Sequence, residues 1–70
     1  MNRSTINVLI KELEGTCLNY IKLSNQLEIE EVTEDQKANI MGDIMACVVL
    51  LNAQTTSVEE ELDVIYEIAE

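Results

Sequence analysis

The apolar residues in the first third of the chain recur every three and four positions, which is the spacing of one face of an α-helix. We predict this helix over about residues 5–28, with Ser4 or Thr5 as its N-cap. Ile10 and Cys17 widen its apolar face. The main heptad consists of Ile6, Leu9, Leu13, Thr16, Tyr20, Leu23 and Leu27.

The apolar pattern stops at residues 29–32, where we predict a turn. Thr33 and Gln36 follow with the spacing of a capping box, in which each side chain accepts a hydrogen bond from the other residue's backbone N–H. Two acidic residues come directly after Thr33, in the first helical turn, where the helix dipole favours negative charge. We therefore predict a second helix over about residues 33–69.

This second helix carries a heptad of its own. The heptad runs unbroken through residues 52–57, and residues 43–70 contain neither Pro nor Gly, so we favour one continuous helix. Ser57 and Glu60 have the spacing of a further capping box, which leaves a kink near Thr55 as the alternative. The heptad positions are Met41, Ile44, Val48, Leu51, Thr55, Val58, Leu62, Ile65 and Ala69.

The two heptads agree on one way of folding the helices against each other. With the turn near residue 32, residues whose numbers sum to about 64 face each other, so that Leu13 meets Leu51 and Tyr20 meets Ile44. We therefore predict an all-α fold in which residues 1–70 form a single antiparallel two-helix hairpin.

A single hairpin would leave a large apolar surface in water. Residues after about 60 extend past the first helix, and soluble monomers rarely expose so much contiguous apolar area. We therefore predict a homodimer in which two hairpins pack as a four-helix bundle. The predicted dimer interface consists of Ile21, Val49, Leu50, Leu62, Ile65 and Ile68. The small residues predicted to allow close helix packing are Ala38, Gly42 and Ala46.

Charge limits the partners that the chain can bind. Four Lys and Arg residues stand against 14 Asp and Glu residues, which gives a formal net charge of −10. No basic cluster is available for nucleic acid or for an anionic membrane, so we predict neither as a direct partner. The longest apolar run, residues 44–51, is also far shorter than the ~20 residues that span a bilayer.

The residue types argue against catalysis and against metal or cofactor binding. The chain has no His, which removes the commonest general base and metal ligand. Cys17 and Cys47 lack the spacing of a zinc site. They fall at one level of the hairpin, and we interpret them as small buried hydrophobes rather than as a redox pair. We therefore predict a cytoplasmic protein with reduced thiols, which is not an enzyme.

One acidic face offers a surface for a partner. Its carboxylates belong to Glu60, Asp63, Glu67 and Glu70. They fall on one side of a helix, and a solvated face is favoured over a metal site because ligands in a row do not converge on an ion. We predict a small protein–protein interaction module, a bacterial or phage adaptor or regulator of a larger protein, to which a basic surface would be complementary. The alternative is an acidic mimic of nucleic acid that inhibits a DNA- or RNA-binding protein.

Overall fold

A computed structural model shows an all-α hairpin. It describes the backbone of residues 3–69 and the side chains of residues 5–67. Over this range the chain forms two helices and no strand: α1 spans Arg3–Leu27 and α2 spans Glu34–Ala69. The two helices pack against each other along the length of α1. Their ends lie within two residues of the limits inferred from the apolar pattern. The predicted N-cap of α1 is wrong, because α1 begins at Arg3 and so includes both Ser4 and Thr5.

The start of α2 is the predicted capping box. The backbone N–H of Thr33 donates to Gln36 Oε1 at 2.9 Å, and the backbone N–H of Gln36 donates to Thr33 Oγ1 at 3.1 Å. The first backbone hydrogen bond of the helix follows, from the N–H of Lys37 to the carbonyl of Thr33 at 2.9 Å. Because the first N–H groups of a helix have no partner within it, these bonds decide where α2 begins.

Replacing Thr33 by Ala is expected to lower the free energy of unfolding by about 1 kcal/mol, because the helix loses its N-cap acceptor. Thr56→Ala is the matched control, since its hydroxyl donates at 2.9 Å to the Asn52 carbonyl within α2 and caps nothing. Ala also has the higher helix propensity, so Thr56→Ala should be neutral or slightly stabilising. Urea unfolding at one fixed protein concentration measures both, and equal losses would contradict the cap's role.

α2 continues without a break through residues 52–57. The hydroxyl of Ser57 donates to the Ala53 carbonyl at 3.2 Å, and that of Thr55 donates to the Leu51 carbonyl at 2.8 Å. Ser57 therefore bonds back into its own helix instead of capping a new one. The described chain is 54 Å long, the length of about 36 residues at 1.5 Å each, so α2 has no sharp kink. The prediction of one continuous helix is confirmed.

The face that α1 turns toward α2 is the predicted one. Ile6, Thr16 and Leu23 are buried there, and Leu9, Leu13 and Leu27 are partly buried. Thr16 is satisfied within α1, because its hydroxyl donates to the Glu12 carbonyl at 3.1 Å. Tyr20 occupies the remaining position of this heptad and is 39 % exposed.

Only half of the described heptad residues of α2 lie on the side that faces α1. Four heptad residues are partly buried as expected: Ile44, Leu51, Val58 and Ile65. The side chain of the last heptad residue, Ala69, lies outside the described residues. Four others are exposed: Met41, Val48, Thr55 and Leu62. Their places are taken by the residues one position earlier, namely Ile40, Cys47, Gln54 and Glu61. Both sets have the same spacing, so the heptad alone does not distinguish them. We call the residues facing each other across α1 and α2 the hairpin seam.

The register of the hairpin lies one residue from the predicted value. The thiol of Cys47 donates to the backbone carbonyl of Thr16 at 3.5 Å, so these two residues lie at the same level. Cys47 is buried as predicted, whereas Cys17 is exposed, and both are free thiols. The interpretation of both cysteines as buried hydrophobes is therefore wrong for Cys17, which lies just past the seam residue Thr16.

The hairpin is a narrow rod with an overhang. Its radius of gyration is 16.2 Å, against about 11 Å for a compact domain of this length. In the observed register the first residue of α1 lies opposite residue 60. Residues 61–69 therefore extend beyond the described part of α1, and we call them the overhang. A shape of this kind leaves much of each helix without a neighbour.

Candidate interaction surface

Most large apolar side chains of this hairpin are in contact with solvent. Within residues 5–67 the buried apolar residues are Ile6, Leu23 and Cys47. The chain exposes 5482 Å², whereas a folded monomer of 7.9 kDa is expected to expose about 4,400 Å². The large apolar residues exposed in this range are Val8, Ile10, Leu18, Tyr20, Ile21, Ile29, Met41, Met45, Val48, Val49, Leu50, Leu62, Val64 and Tyr66. The hairpin therefore buries few apolar side chains of its own.

Several of these residues form a second stripe on α2, next to the hairpin seam. The stripe repeats every four and three residues, so it also follows one face of the helix. Met45 is 70 % exposed and Tyr66 is 68 % exposed. We call this set the association stripe: Met41, Met45, Val48, Asn52, Thr55, Glu59, Leu62 and Tyr66. The association stripe includes all four positions that the heptad wrongly assigned to the hairpin seam, namely Met41, Val48, Thr55 and Leu62.

α1 adds apolar residues on the same side of the hairpin. Ile10 and Cys17 directly follow seam residues of α1, just as Met41 and Val48 directly follow seam residues of α2. In an antiparallel helix pair, equivalent flanks of the two helices lie on the same side. Ile10 is 45 % exposed, and Ile21, one turn beyond Cys17, is 53 % exposed. Together with the association stripe, these residues make one apolar surface, which we call the association face.

The opposite side of the hairpin is a groove of different character. It is lined by the residues that directly precede seam positions, Glu12 and Asn19 on α1 and Asp43 and Leu50 on α2. Gly15 and Ala46 also line it. Two carboxylates and a carboxamide therefore border this groove, whereas the association face is mainly apolar. The two sides of the hairpin are chemically distinct.

The residues predicted for the dimer interface do not all lie on one surface. Ile21 and Leu62 lie on the association face. Leu50 lines the groove instead, and Val49 is 66 % exposed on the side of α2 that faces away from α1. Ile65 is partly buried in line with the hairpin seam. The side chain of Ile68 lies outside the described residues.

The small residues of α2 do not bring the two helices of the hairpin close together. Ala38, Gly42 and Ala46 are all exposed. A Cβ atom placed on Gly42 would meet nothing within 4 Å. The close helix packing predicted for these three small residues is therefore not made with α1. Within the hairpin, Ala46 lines the groove.

The predicted acidic face is open to water. Glu60, Asp63 and Glu67 are exposed, and Glu70 lies outside the described residues. The described side chains contain one ion pair, between Lys11 Nζ and Glu14 Oε1 at 3.4 Å, on the surface of α1. Among these side chains no group of three or more acidic or thiol residues is arranged to hold a metal ion. Among the described residues, no carboxylate of α2 forms an ion pair.

α2 also meets the simplest criterion for a membrane-spanning helix. Within Glu34–Glu67, a window of 18 residues reaches a mean hydropathy of 1.2 with at most two charged residues. This criterion uses length and composition alone, and core helices of soluble proteins meet it too. One such helix is weak evidence of a membrane span, and 6 % of this window is buried in the single hairpin. The expected absence of a membrane partner therefore stays a prediction.

Comparison with known proteins adds no relative to this picture. No family model, curated protein or solved structure matches the chain. The functional argument consequently depends on the surface chemistry of the hairpin.

Proposed function

We propose that this protein is a small helical interaction module that acts as a homodimer, with two hairpins packed as a four-helix bundle. The observation that carries the proposal is the association face, where apolar side chains of both helices lie in water. Contiguous apolar surface of this kind in a soluble protein is typical of a site that binds another protein.

The surface area supports association. The chain exposes about 1,000 Å² more than a compact monomer of its mass. A stable protein–protein interface removes about 800 Å² from each partner. Packing two association faces together would therefore bury an area of the size that a specific dimer requires. It would also give each hairpin the core that its own seam does not supply.

The acidic exterior is the surface left for a partner. Once the association faces are covered, the exposed carboxylates of Glu60, Asp63 and Glu67 remain on the outside of α2. The chain's net charge of −10 makes a dimer strongly negative. A basic protein surface would be complementary and would be attracted over a long range. We infer an adaptor or regulator of a larger cytoplasmic protein in a bacterium or phage.

A second candidate is a mimic of nucleic acid. It is favoured by the row of carboxylates on α2, which have no cation beside them within the described residues and lie on a rigid rod 54 Å long. Regularly spaced negative charges on a rod resemble a phosphate backbone. Such a protein would occupy the basic cleft of a DNA- or RNA-binding protein and inhibit it.

The dimer is tested by sedimentation equilibrium at micromolar concentration. We expect a folded species with twice the chain mass of 7.9 kDa. A folded monomer would contradict the proposal, because the helices would then be stable without a covered association face. Circular dichroism on the same samples reports whether the sedimenting species is helical.

The two candidate functions differ in their response to salt. Charge-only binding, as expected of a nucleic-acid mimic, should weaken steeply between low and high salt, because each charge contact is screened. Binding of a protein partner that also buries apolar surface should change little. Pull-down at the two salt concentrations, with Glu60, Asp63 and Glu67 replaced by Gln as a control for the acidic face, separates the two.

A further inference from the structure

We propose that the second copy docks with its α2 antiparallel to the α2 of the first, through the association stripe. This inference rests on the homodimer proposed above and specifies its geometry. In this arrangement each apolar end of one stripe meets the opposite apolar end of the other, and a molecular two-fold axis passes near residues 53 and 54. The occupant of the association face is thus a second copy of this chain.

The association stripe is nearly symmetric about its own centre. Its N-terminal part is apolar, its middle contains Asn52 and Thr55, and its C-terminal part ends in Leu62 and Tyr66. Antiparallel pairing about this centre matches like with like in three of the four pairs and sets Val48 against Glu59 in the fourth. The resulting pairs are Met41 with the partner's Tyr66, Met45 with the partner's Leu62, Val48 with the partner's Glu59, and Asn52 with the partner's Thr55.

The length of α2 favours the same alignment. The centre of the stripe lies within about two residues of the middle of Glu34–Ala69. Two copies paired about this centre overlap along about 48 Å, almost their whole length. A shifted antiparallel pairing would shorten the overlap and would set the apolar ends of the stripe against polar positions. The same register therefore maximises both contact length and apolar matching.

Of the two orientations, only the antiparallel one places the overhang beside the partner's α1. When the hairpin register and the proposed pairing are combined, residues 61–69 of one copy lie beside the second half of the partner's α1. Leu62 and Ile65 then approach the partner's Ile21, which is exposed in the single hairpin. If the two α2 helices were instead parallel, both overhangs would lie together at one end, beyond either copy of α1. The antiparallel arrangement is the one that completes both hairpins.

The polar centre gives the pairing its register. At the two-fold axis the Asn52 carboxamide can donate to the hydroxyl oxygen of the partner's Thr55, whose own O–H already donates to the Leu51 carbonyl. A buried polar pair at one layer penalises shifted registers, in which each group would lose its partner. Glu59 is the one charged residue of the stripe, and its long side chain reaches the edge of the interface.

Disulfide cross-linking tests the arrangement, with Cys17→Ser as the background because Cys17 is exposed. In that background, Met45→Cys and Leu62→Cys are made separately. Within one variant the two equivalent thiols would be about 25 Å apart along the bundle, too far for a disulfide. Each variant oxidised alone should remain uncrosslinked. A mixture allowed to exchange subunits should give a covalent dimer in about half of its chains, the statistical share of mixed dimers.

Val64→Cys mixed with Met45→Cys is the matched control, because Val64 lies two residues from Leu62 on the opposite side of the overhang and is similarly exposed. It should give no cross-link. Cross-linking of either single variant alone would indicate parallel α2 helices and overturn this inference while leaving the homodimer intact. A dimer by sedimentation that gives no cross-link in the Met45 and Leu62 mixture would overturn it as well. A folded monomer would overturn both the arrangement and the proposed function.

Discussion

Replacing Leu62 by Asp is expected to convert the folded dimer into an unfolded monomer. Leu62 lies on the association stripe within the overhang, where the described part of α1 does not reach. The change therefore cannot act through the hairpin seam and tests the proposed contact with a second copy. Loss of the buried Leu and burial of a carboxylate cost at least about 2 kcal/mol at each site.

Symmetry doubles this cost. A two-fold dimer contains the substitution twice, so the dissociation constant should rise by at least about a thousandfold. The released hairpin should also lose its helices, because within residues 5–67 only Ile6, Leu23 and Cys47 are buried apolar residues. Sedimentation equilibrium measures the dissociation, and far-ultraviolet circular dichroism measures the loss of helix.

Val64→Asp is the matched control for this experiment. Val64 is 45 % exposed and Leu62 is 37 % exposed, and both lie in the overhang of the same helix. Their side chains point to opposite sides of α2, so Val64→Asp adds the same charge away from the association face. It should leave the dimer nearly unchanged. If the two variants dissociate equally, the effect is one of net charge and the association face is not the interface.

Replacing Gln54 by Met is expected to stabilise the protein by about 2 kcal/mol. Gln54 lies in the hairpin seam, and its Oε1 is buried without a hydrogen-bond partner among the described residues. A buried acceptor that has lost water and gained no donor costs about 1–3 kcal/mol. Met keeps the length and flexibility of the side chain and replaces the polar group with apolar surface. The melting temperature should rise by about 10 °C at fixed protein concentration.

Gln26→Met is the control for the change in hydrophobicity. Gln26 is also partly buried, near the turn, and its carboxamide is not among the unsatisfied buried groups of the described chain. Its replacement should alter the free energy of unfolding by less than about 0.5 kcal/mol. Equal stabilisation by both variants would show that the gain comes from added apolar surface and not from removal of an unpaired acceptor.

Sedimentation of Gln54→Met adds a second readout. A buried polar residue in a helix pair can restrict the register at the expense of stability. If Gln54 has this role, the variant should be more stable yet sediment as a mixture of species instead of a single dimer. A single sharp species would show that Gln54 lowers the stability without restricting the register of the helix pair.

The apolar pattern predicted the candidate surface only in part. The pattern indicated that apolar surface remains uncovered, and it included Ile21 and Leu62, which the structure places on the association face. It also included Leu50, which lines the groove, and Val49 and Ile65, which lie on other sides of α2. It omitted Met45, which is 70 % exposed on the stripe. A count of apolar residues per helix face would have found Met45, because it continues the spacing of Met41 and Val48.

Local sequence features predict both helices to within two residues of their ends, and they predict that the chain folds back as a hairpin. The capping box of Thr33 and Gln36 and the change of pattern at residues 29–32 are local features, whose energies depend on residues a few positions apart. The antiparallel register follows from the turn, and it is off by a single residue. Only the tertiary structure decided which of two equally spaced stripes of α2 faces α1. That choice depends on packing across the seam, where Cys47 contacts the backbone of Thr16. The spacing of residues along one helix does not reveal which stripe is chosen.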